Sequence, residues 1–352
     1  MNSWFYLASF ILAFILSFFL TIIVRKIAVR YNLYDLPDQK RHLHKKPTPR
    51  LGGIALFLAF LVTALIIMPF SKYLAGLIFG SFILLVVGLI DDLKRLPALI
   101  KLSAQIFAAL VIIICGAGIN FVTNPFGGFI FLDQIKIPIK LDSVYHFVIP
   151  ADIITIIWIV AIVNITNFLD GLDGLASGVG IISALMIFVL SILPSVNQPL
   201  SAIIAIILLG ALLGFLPFNF FPAKIFLGDS GSMFLGFCLS VLAVISGAKF
   251  ATVLLVLGLP IFDGFWVVGK RIILGRHPFA PGRDHLHHKL LDLGLDQKIV
   301  VLIFYFITIL FGLAALFSGS KAKFFWLLAL AFLLSGLMII LEIVFARKKK
   351  II

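Results

Sequence analysis

Apolar runs long enough to cross a bilayer follow one another along almost the whole chain, separated by short polar stretches. A helix needs about 20 apolar residues to span the hydrocarbon core. On that criterion eleven spans are predicted, near 4–24, 52–70, 74–90, 102–119, 147–164, 176–193, 200–218, 231–248, 250–269, 299–317 and 324–346. The first is too long for a cleaved leader, and its charges, Arg25 and Lys26, follow it rather than precede it. Almost nothing remains for a separate soluble domain. Residues 1–352 therefore read as one all-α polytopic membrane domain. The longest stretch between spans on the predicted outer side is 120–150. Within it Phe129-Ile-Phe-Leu132 and Ile135-Lys-Ile-Pro-Ile-Lys-Leu141 have short-strand character, and a hairpin cap is expected there.

Composition agrees: 62% of residues are hydrophobic, and the mean hydropathy is +1.21. The net charge of +13 orients the chain. With the amino terminus outside and alternating spans, 22 of the 28 Lys and Arg fall on the inner side and 6 on the outer, the sense of the positive-inside rule. This predicts a multi-pass protein of the plasma (inner) membrane with its carboxyl terminus in the cytoplasm. The basic loops serve topology and attraction to anionic lipid. Nucleic acid is excluded as a partner, because no folded basic domain is there to dock it. Cys115 and Cys238 are too few and too separated for a disulfide or zinc framework.

Against this apolar background one stretch stands out, Asn164-Ile-Thr-Asn-Phe-Leu-Asp-Gly-Leu-Asp-Gly-Leu-Ala176. Polar groups at such density in a membrane protein mark a site. Other acids gather on the same predicted side: Asp91 and Asp92 after the third span, Asp229 after the seventh, Asp263 inside the ninth and Asp284 beyond it. A proton or ion pathway would instead spread carboxylates toward mid-membrane. Carboxylates with asparagine are oxygen ligands suited to magnesium, which shares substrate phosphates. The same loops supply Lys45, Lys46, Lys101, Arg276 and Arg283, and cations beside carboxylates suggest an anionic substrate bridged by a metal. Phosphoryl transfer needs this kind of positioning and charge neutralisation. Taken singly, each element has a plainer reading. Asp91-Asp92 suits a helix-end charge pair, and Asp170-Gly171, Asp173-Gly174 and Gly228-Asp229-Ser230-Gly231 suit turns. His285, His287 and His288 lack the Cys or Glu partners of a zinc site, and His42 and His44 suit a basic loop. Only their convergence argues for function.

Five motifs, in order, carry a resemblance: Lys46-Pro-Thr-Pro-Arg-Leu-Gly-Gly53, Asp91-Asp92, Asn164-x-x-Asn-x-x-Asp-Gly-x-Asp-Gly-Leu-Ala176, Phe226-x-Gly-Asp-Ser-Gly231 and Arg283-Asp-His-Leu-His-His288. Over essentially its whole length the chain resembles the polyprenyl-phosphate N-acetylhexosamine-1-phosphate transferases of glycosyltransferase family 4. It is most similar to the undecaprenyl-phosphate N-acetylglucosaminyl-1-phosphate transferase branch. Eleven spans and Arg276-His-Pro-Phe-Ala-Pro-Gly-Arg283 fit that branch, and Lys289 stands where the muramoyl-pentapeptide branch usually has an acid. The resemblance implies transfer of a sugar 1-phosphate from a UDP-sugar to polyprenyl phosphate with release of UMP, the first membrane step of a cell-envelope polysaccharide.

The roles it implies are residue-specific. Asn167 and Asp229 face magnesium, for which manganese is a substitute. Lys46 or its neighbour Lys45, with Asp170, Gly171, Asp173 and Phe226, binds the nucleotide. Asp91, Asp92 and Lys101 stand at the lipid phosphate as the catalytic group. Arg276, Arg283, His285, His287 and His288 read the sugar and diphosphate. The resemblance also suggests a homodimer. Rival readings are the muramoyl-pentapeptide reaction, a transporter or flippase with functional carboxylates on both sides, and a cytidine-nucleotide alcohol phosphotransferase. A single in-line displacement is expected. A phosphate monoester is already mostly dianionic at neutral pH, its second pKa being about 6, so Asp91 and Asp92 are expected to position rather than mainly deprotonate.

Overall fold

The computed structural model describes residues 3–35, 47–140, 144–246, 250–276, 282 and 284–351. The first helix, α1 (Ser3–Arg30), shows how the sequence makes a membrane bundle. Its buried side chains are small and spaced by four, Ser9, Ala13, Ser17 and Thr21, while Ile11, Ile15 and Phe19 are exposed. In lipid the bulky apolar residues face outward and the small ones let backbones approach. Gly210 and Gly214 of α7 (Pro199–Asn219) receive that stripe, closely enough that a Cβ on either would lie within 2.5 Å of a carbonyl oxygen of α1.

Between them in sequence lie α2 (Gly52–Ile67), α3 (Lys72–Lys94), α4 (Ala98–Ile114), α5 (Ala151–Leu169) and α6 (Leu175–Ile192). The next helix, α8 (Gly228–Ile245), is the hub, buried nearly throughout and packed by α2, α3, α5, α6 and α7. It is followed by α9 (Phe250–Val256), α10 (Gly258–Ile273), the short α11 (Leu286–Asp292), α12 (Gln297–Phe317) and α13 (Ser320–Ile351).

Among the described residues eight helices are long and apolar enough to cross a membrane, or nine if α9 and α10 count as one span. The sequence-based number of eleven is therefore not reached by length. The windows at 52–70 and 102–119 fold as helices of only 16 and 17 residues, α2 and α4. The window at 250–269 is broken by a 78° bend between α9 and α10. Pro260 explains the break, since proline is tolerated in the first turn of a helix but not in its interior.

The expected hairpin is two hairpins. The strand β3 (Phe121–Thr123) pairs with β4 (Phe129–Phe131), and β5 (Ile135–Lys140) pairs with β6 (Val144–Ile149), both antiparallel. The two apolar runs thus each take a separate partner rather than each other. A turn at Gly127 and Gly128, both with positive φ, returns the first hairpin. These strands lie at the ends of α4 and α5 far from Lys101 and Asn167. Earlier in the chain, β1 (Tyr34–Asp35) pairs antiparallel with β2 (Thr48–Pro49).

Candidate active site

Asp91 and Asp92 close α3. The chain then turns through Arg95, whose φ is 42°, and Pro97 into α4. This tight turn sets Lys101, one turn into α4, over Asp91. The Lys101 Nζ lies 3.1 Å from Asp91 Oδ2 and 3.1 Å from Asp229 Oδ2, so a single ammonium joins α3, α4 and α8. The other oxygen of Asp91 accepts the Leu96 backbone N–H at 2.6 Å.

Asp92 has a different task. Its Oδ1 accepts the Asp229 N–H at 2.8 Å, and its Oδ2 accepts the Ser230 N–H at 3.1 Å and the Ser230 hydroxyl at 2.9 Å. The first N–H groups of a helix have no partner within it, and a carboxylate there is favoured by the helix dipole. Asp92 is thus the N-terminal cap of α8, supplied from α3. Gly228, with φ 75°, is required for the approach: a Cβ there would lie 2.7 Å from Asp92 Oδ2 and 2.5 Å from the Arg50 carbonyl oxygen.

Asn167, in the last turn of α5, donates its Nδ2 to Ser232 Oγ at 2.9 Å, and its side chain also bonds the Asp229 carboxylate. The structure therefore brings together the two residues expected to face a metal. Asp170, just past α5, adjoins the same group. Burial, with Asp229 and Asp92 nearby, pushes its carboxyl well above the usual carboxylate range, against the Arg50 charge and a Gly228 backbone hydrogen bond. Asp91 and Asp229 thus meet Lys101, with Asp92 and Asp170 close by, and carboxylate and amide oxygens are the donor type that magnesium takes. Among the described residues no three His, Cys, Asp or Glu form a metal-holding group.

The two aspartates of the Asp-Gly-x-Asp-Gly run diverge. Asp173 accepts the Ala223 backbone N–H at 2.9 Å, away from the aspartate cluster. Gly174 has φ 78° and begins α6, its carbonyl receiving the Tyr305 hydroxyl. Phe226 is fixed through its backbone. Its N–H donates to the Pro49 carbonyl at 2.8 Å and its carbonyl accepts the Gly52 N–H at 3.0 Å, while the Gly53 N–H reaches the Leu227 carbonyl at 3.0 Å. The segments around 50 and 228, distant in sequence, clasp each other and set the start of α8.

The histidines come from a separate module. Asp263 of α10 accepts the Leu286 N–H at 2.8 Å through Oδ1 and holds His285 Nδ1 at 2.9 Å through Oδ2. The His285 and His287 rings stack at 5.7 Å, and His287 and His288 lie 4.3 Å apart. Gly171 abuts His287, where a Cβ would lie 2.7 Å from Nε2. Arg271 binds Asp284 Oδ2 through Nε at 3.2 Å and Nη2 at 2.9 Å. Burial opposes ionisation of Asp284, but the Arg271 hydrogen bond and charge overcome it and hold its carboxyl below the usual range. Arg276 is exposed, tied by its backbone N–H to the Arg271 carbonyl at 2.8 Å. Lys45, Lys46, Arg283, His42 and His44 lie outside the described residues.

Sequence reasoning missed Gln105, Arg271 and Glu342, and gave Asp263, and Arg50 of the first motif, no role of their own. A carboxylate inside an apolar span was the available signal for Asp263. The others read as ordinary basic-loop or helix residues.

A groove of about 340 Å³ opens between α4, α5 and α10. Leu102, Ile106, Val160, Phe168 and Phe265 line it, with Asn164 among them. The groove thus shares α4 with Lys101 and α5 with Asn167.

Residues 74–247 match the family described as Glycosyl transferase family 4. The chain is 31% identical over 342 residues to a probable undecaprenyl-phosphate N-acetylglucosaminyl 1-phosphate transferase of Bacillus subtilis, covering 95% of this chain and 91% of that one. It is 34% identical to a decaprenyl-phosphate N-acetylglucosaminephosphotransferase of Mycobacterium tuberculosis, covering 89% and 81%. A phospho-N-acetylmuramoyl-pentapeptide-transferase of Caldicellulosiruptor bescii is 32% identical, covering 87% and 96%.

Proposed function

Because the chain belongs to glycosyl transferase family 4, we propose that it transfers N-acetylglucosamine 1-phosphate from UDP-N-acetylglucosamine to a polyprenyl phosphate and releases UMP. The observation that carries the reading is likeness over 95% of the chain to a relative named for that reaction. The apolar groove on α4 and α5, the helices that carry Lys101 and Asn167, supports it, because a prenyl chain held there would bring its phosphate toward those residues.

Counting α2, α4 and the bent α9–α10 pair as spans gives eleven crossings. The inward bias of Lys and Arg then puts the aspartates in the cytoplasm of a plasma-membrane enzyme. The prenyl chain lies in the groove, and Lys101 receives its phosphate. An oxygen of that phosphate attacks the β-phosphorus of the donor in line, forming one P–O bond as the bond to the α-phosphate oxygen breaks and UMP leaves. Asp91 and Asp229 hold the Lys101 ammonium in place. Asp92, with three donors directed at it, fixes the start of α8 rather than removing a proton. Asn167 and Asp229 would hold a magnesium ion, which when bound offsets charge on the diphosphate. The histidine module borders Gly171 and reads the donor, and Asp170 and Gly171 form the near edge of the nucleotide site.

The test is UMP release by purified protein with polyprenyl phosphate and magnesium, offered UDP-N-acetylglucosamine and the UDP-muramoyl-pentapeptide donor in parallel. Turnover of the first alone is expected. Turnover of the second alone would transfer the protein to the muramoyl reaction, and lipid flux without UMP would make it a flippase.

A further inference from the structure

The segment that carries the histidines is too short to hold itself. The helix α11 has seven residues, well under the roughly 12 to 15 at which an isolated helix becomes even marginal in water. Two of its anchors come from one face of α10: Asp263 takes His285 and the Leu286 N–H, and Arg271, eight residues on, takes Asp284. The third comes from α13. Glu342 Oε1 accepts the Lys289 ammonium at 3.1 Å and the Lys270 ammonium at 2.6 Å. A helix of 32 residues is about 48 Å long, against a hydrocarbon core of about 30 Å. The later turns of α13 therefore reach α11 and tie it, through Glu342, to Lys270 of α10.

We infer that Glu342 is a positioning residue, acting through Lys289 to set His287 and His288 against the donor. The inference rests on the reading of those histidines as donor-binding. Lys289 directly follows His288, and its backbone N–H bonds the His285 carbonyl at 3.1 Å, so its placement and that of the rings are one. The Lys289 side chain is only 10% exposed. Without a carboxylate partner a buried ammonium is strongly disfavoured and moves toward water, and α11 moves with it. Gly171 lies against His287 Nε2, so displacement of α11 changes the gap in which a diphosphate sits. Lys101, at the acceptor side, bonds Asp91 and Asp229 and is not part of this set of contacts.

The experiment measures UMP release with separate KM values for UDP-N-acetylglucosamine and polyprenyl phosphate in Glu342→Gln, Lys289→Gln, the double variant and Glu342→Asp. Each Gln variant is expected to raise the donor KM about five- to tenfold, the size of one partly buried ion pair. The acceptor KM and kcat stay within about twofold, the double variant is no worse than the poorer single, and Glu342→Asp recovers part of the loss. An unchanged donor KM, or a fall in kcat alone, in a protein whose wild type releases UMP overturns the inference. If the wild type releases no UMP, the functional reading fails instead. Hydrogen exchange across 285–292 then decides whether Glu342 positions α11: faster exchange in Glu342→Gln sustains it, and unchanged exchange overturns it.

Discussion

Gln105 of α4 and Asn164 of α5 exchange side-chain amides, Asn164 Nδ2 donating to Gln105 Oε1 at 2.7 Å and Gln105 Nε2 to Asn164 Oδ1 at 3.3 Å. Each stands about one helical turn from a site residue, Gln105 from Lys101 and Asn164 from Asn167. In an apolar setting such a pair fixes the spacing of two helices. It therefore couples the groove, which Asn164 lines, to the distance between the ammonium and the metal-facing asparagine.

Gln105→Leu leaves the Asn164 carbonyl without its donor and is expected to lower stability by about 1–3 kcal/mol. Replacing both residues by leucine removes the orphan and recovers most of that loss, while activity stays low because the spacing is no longer fixed. Thermal unfolding in one detergent, with UMP release alongside, checks this. A double variant as unstable as the sum of the singles would show that the amides do not act as a pair.

Asp92 receives only donors, so an asparagine there presents an amide N–H₂ to backbone N–H groups. Asp92→Asn should lose at least one bond to a charged acceptor, about 1.5–3 kcal/mol, or about tenfold to a hundredfold in kcat/KM. Raising the pH should not restore the rate, because the lost element is the seat of α8. Recovery of most of the rate in alkali would instead make Asp92 a general base.

Gly53 lets α2 lie against the start of α8, since a Cβ there would be 2.2 Å from the Gly231 nitrogen. Backbone cannot give way as a side chain end can. Gly53→Ala is expected to destabilise by about 1–3 kcal/mol or more and to abolish activity by shifting Asp229. Gly269→Ala, where nothing lies within 4 Å, should leave both unchanged. Comparing the two in thermal unfolding and UMP release isolates the close approach from any general effect of alanine.

The helices were legible because apolar length is a local property. What hydropathy does not register is interruption: Pro260 splits one window, and short polar flanks cut α2 and α4 below spanning length. The strand character at 129–132 was visible, but its partner was not, although Gly127-Gly128 already marked the turn. At the site, residue types were readable, and the partners of each residue were not. Asp92 meets α8 at a sequence separation of 137, and Asp263 meets Leu286 at 23. No spacing rule predicts a helix cap supplied by another helix. Charges on different helices read alike in sequence, although Lys101 serves the acid cluster and Glu342 the histidine module.

Asp284 makes a pH prediction with a definite sign. Its carboxyl is held below the ordinary range by Arg271, so its stabilising contribution is present above the unfolded-state carboxylate pKa and is lost as pH falls through the lowered folded value. Protection of the α11 amides should thus be flat from pH 8 to about 5 and decline only in more acid solution, below about 4, the free Asp value. Asp284→Asn should show the weakened protection at every pH. Hydrogen exchange of the 284–292 segment measures both, and a decline centred well above pH 5 would take the effect away from Asp284.

Asp229 bears the greatest load, since it bonds Lys101, adjoins Asn167 and begins α8 under the Asp92 cap. If it is also a metal ligand, removing it does more than unseat Lys101. Asp229→Ala should lose about a hundredfold or more of turnover and its response to added magnesium together. Lys101→Met should lower turnover while the magnesium titration keeps its midpoint. Asn167→Ala should fall between, active only at raised magnesium. Magnesium titrations of UMP release in the three variants, with manganese binding followed by electron paramagnetic resonance, separate the two roles of the carboxylate. An Asp229→Ala protein that still binds manganese and still answers to magnesium would take Asp229 out of the metal site and leave it as the anchor of Lys101.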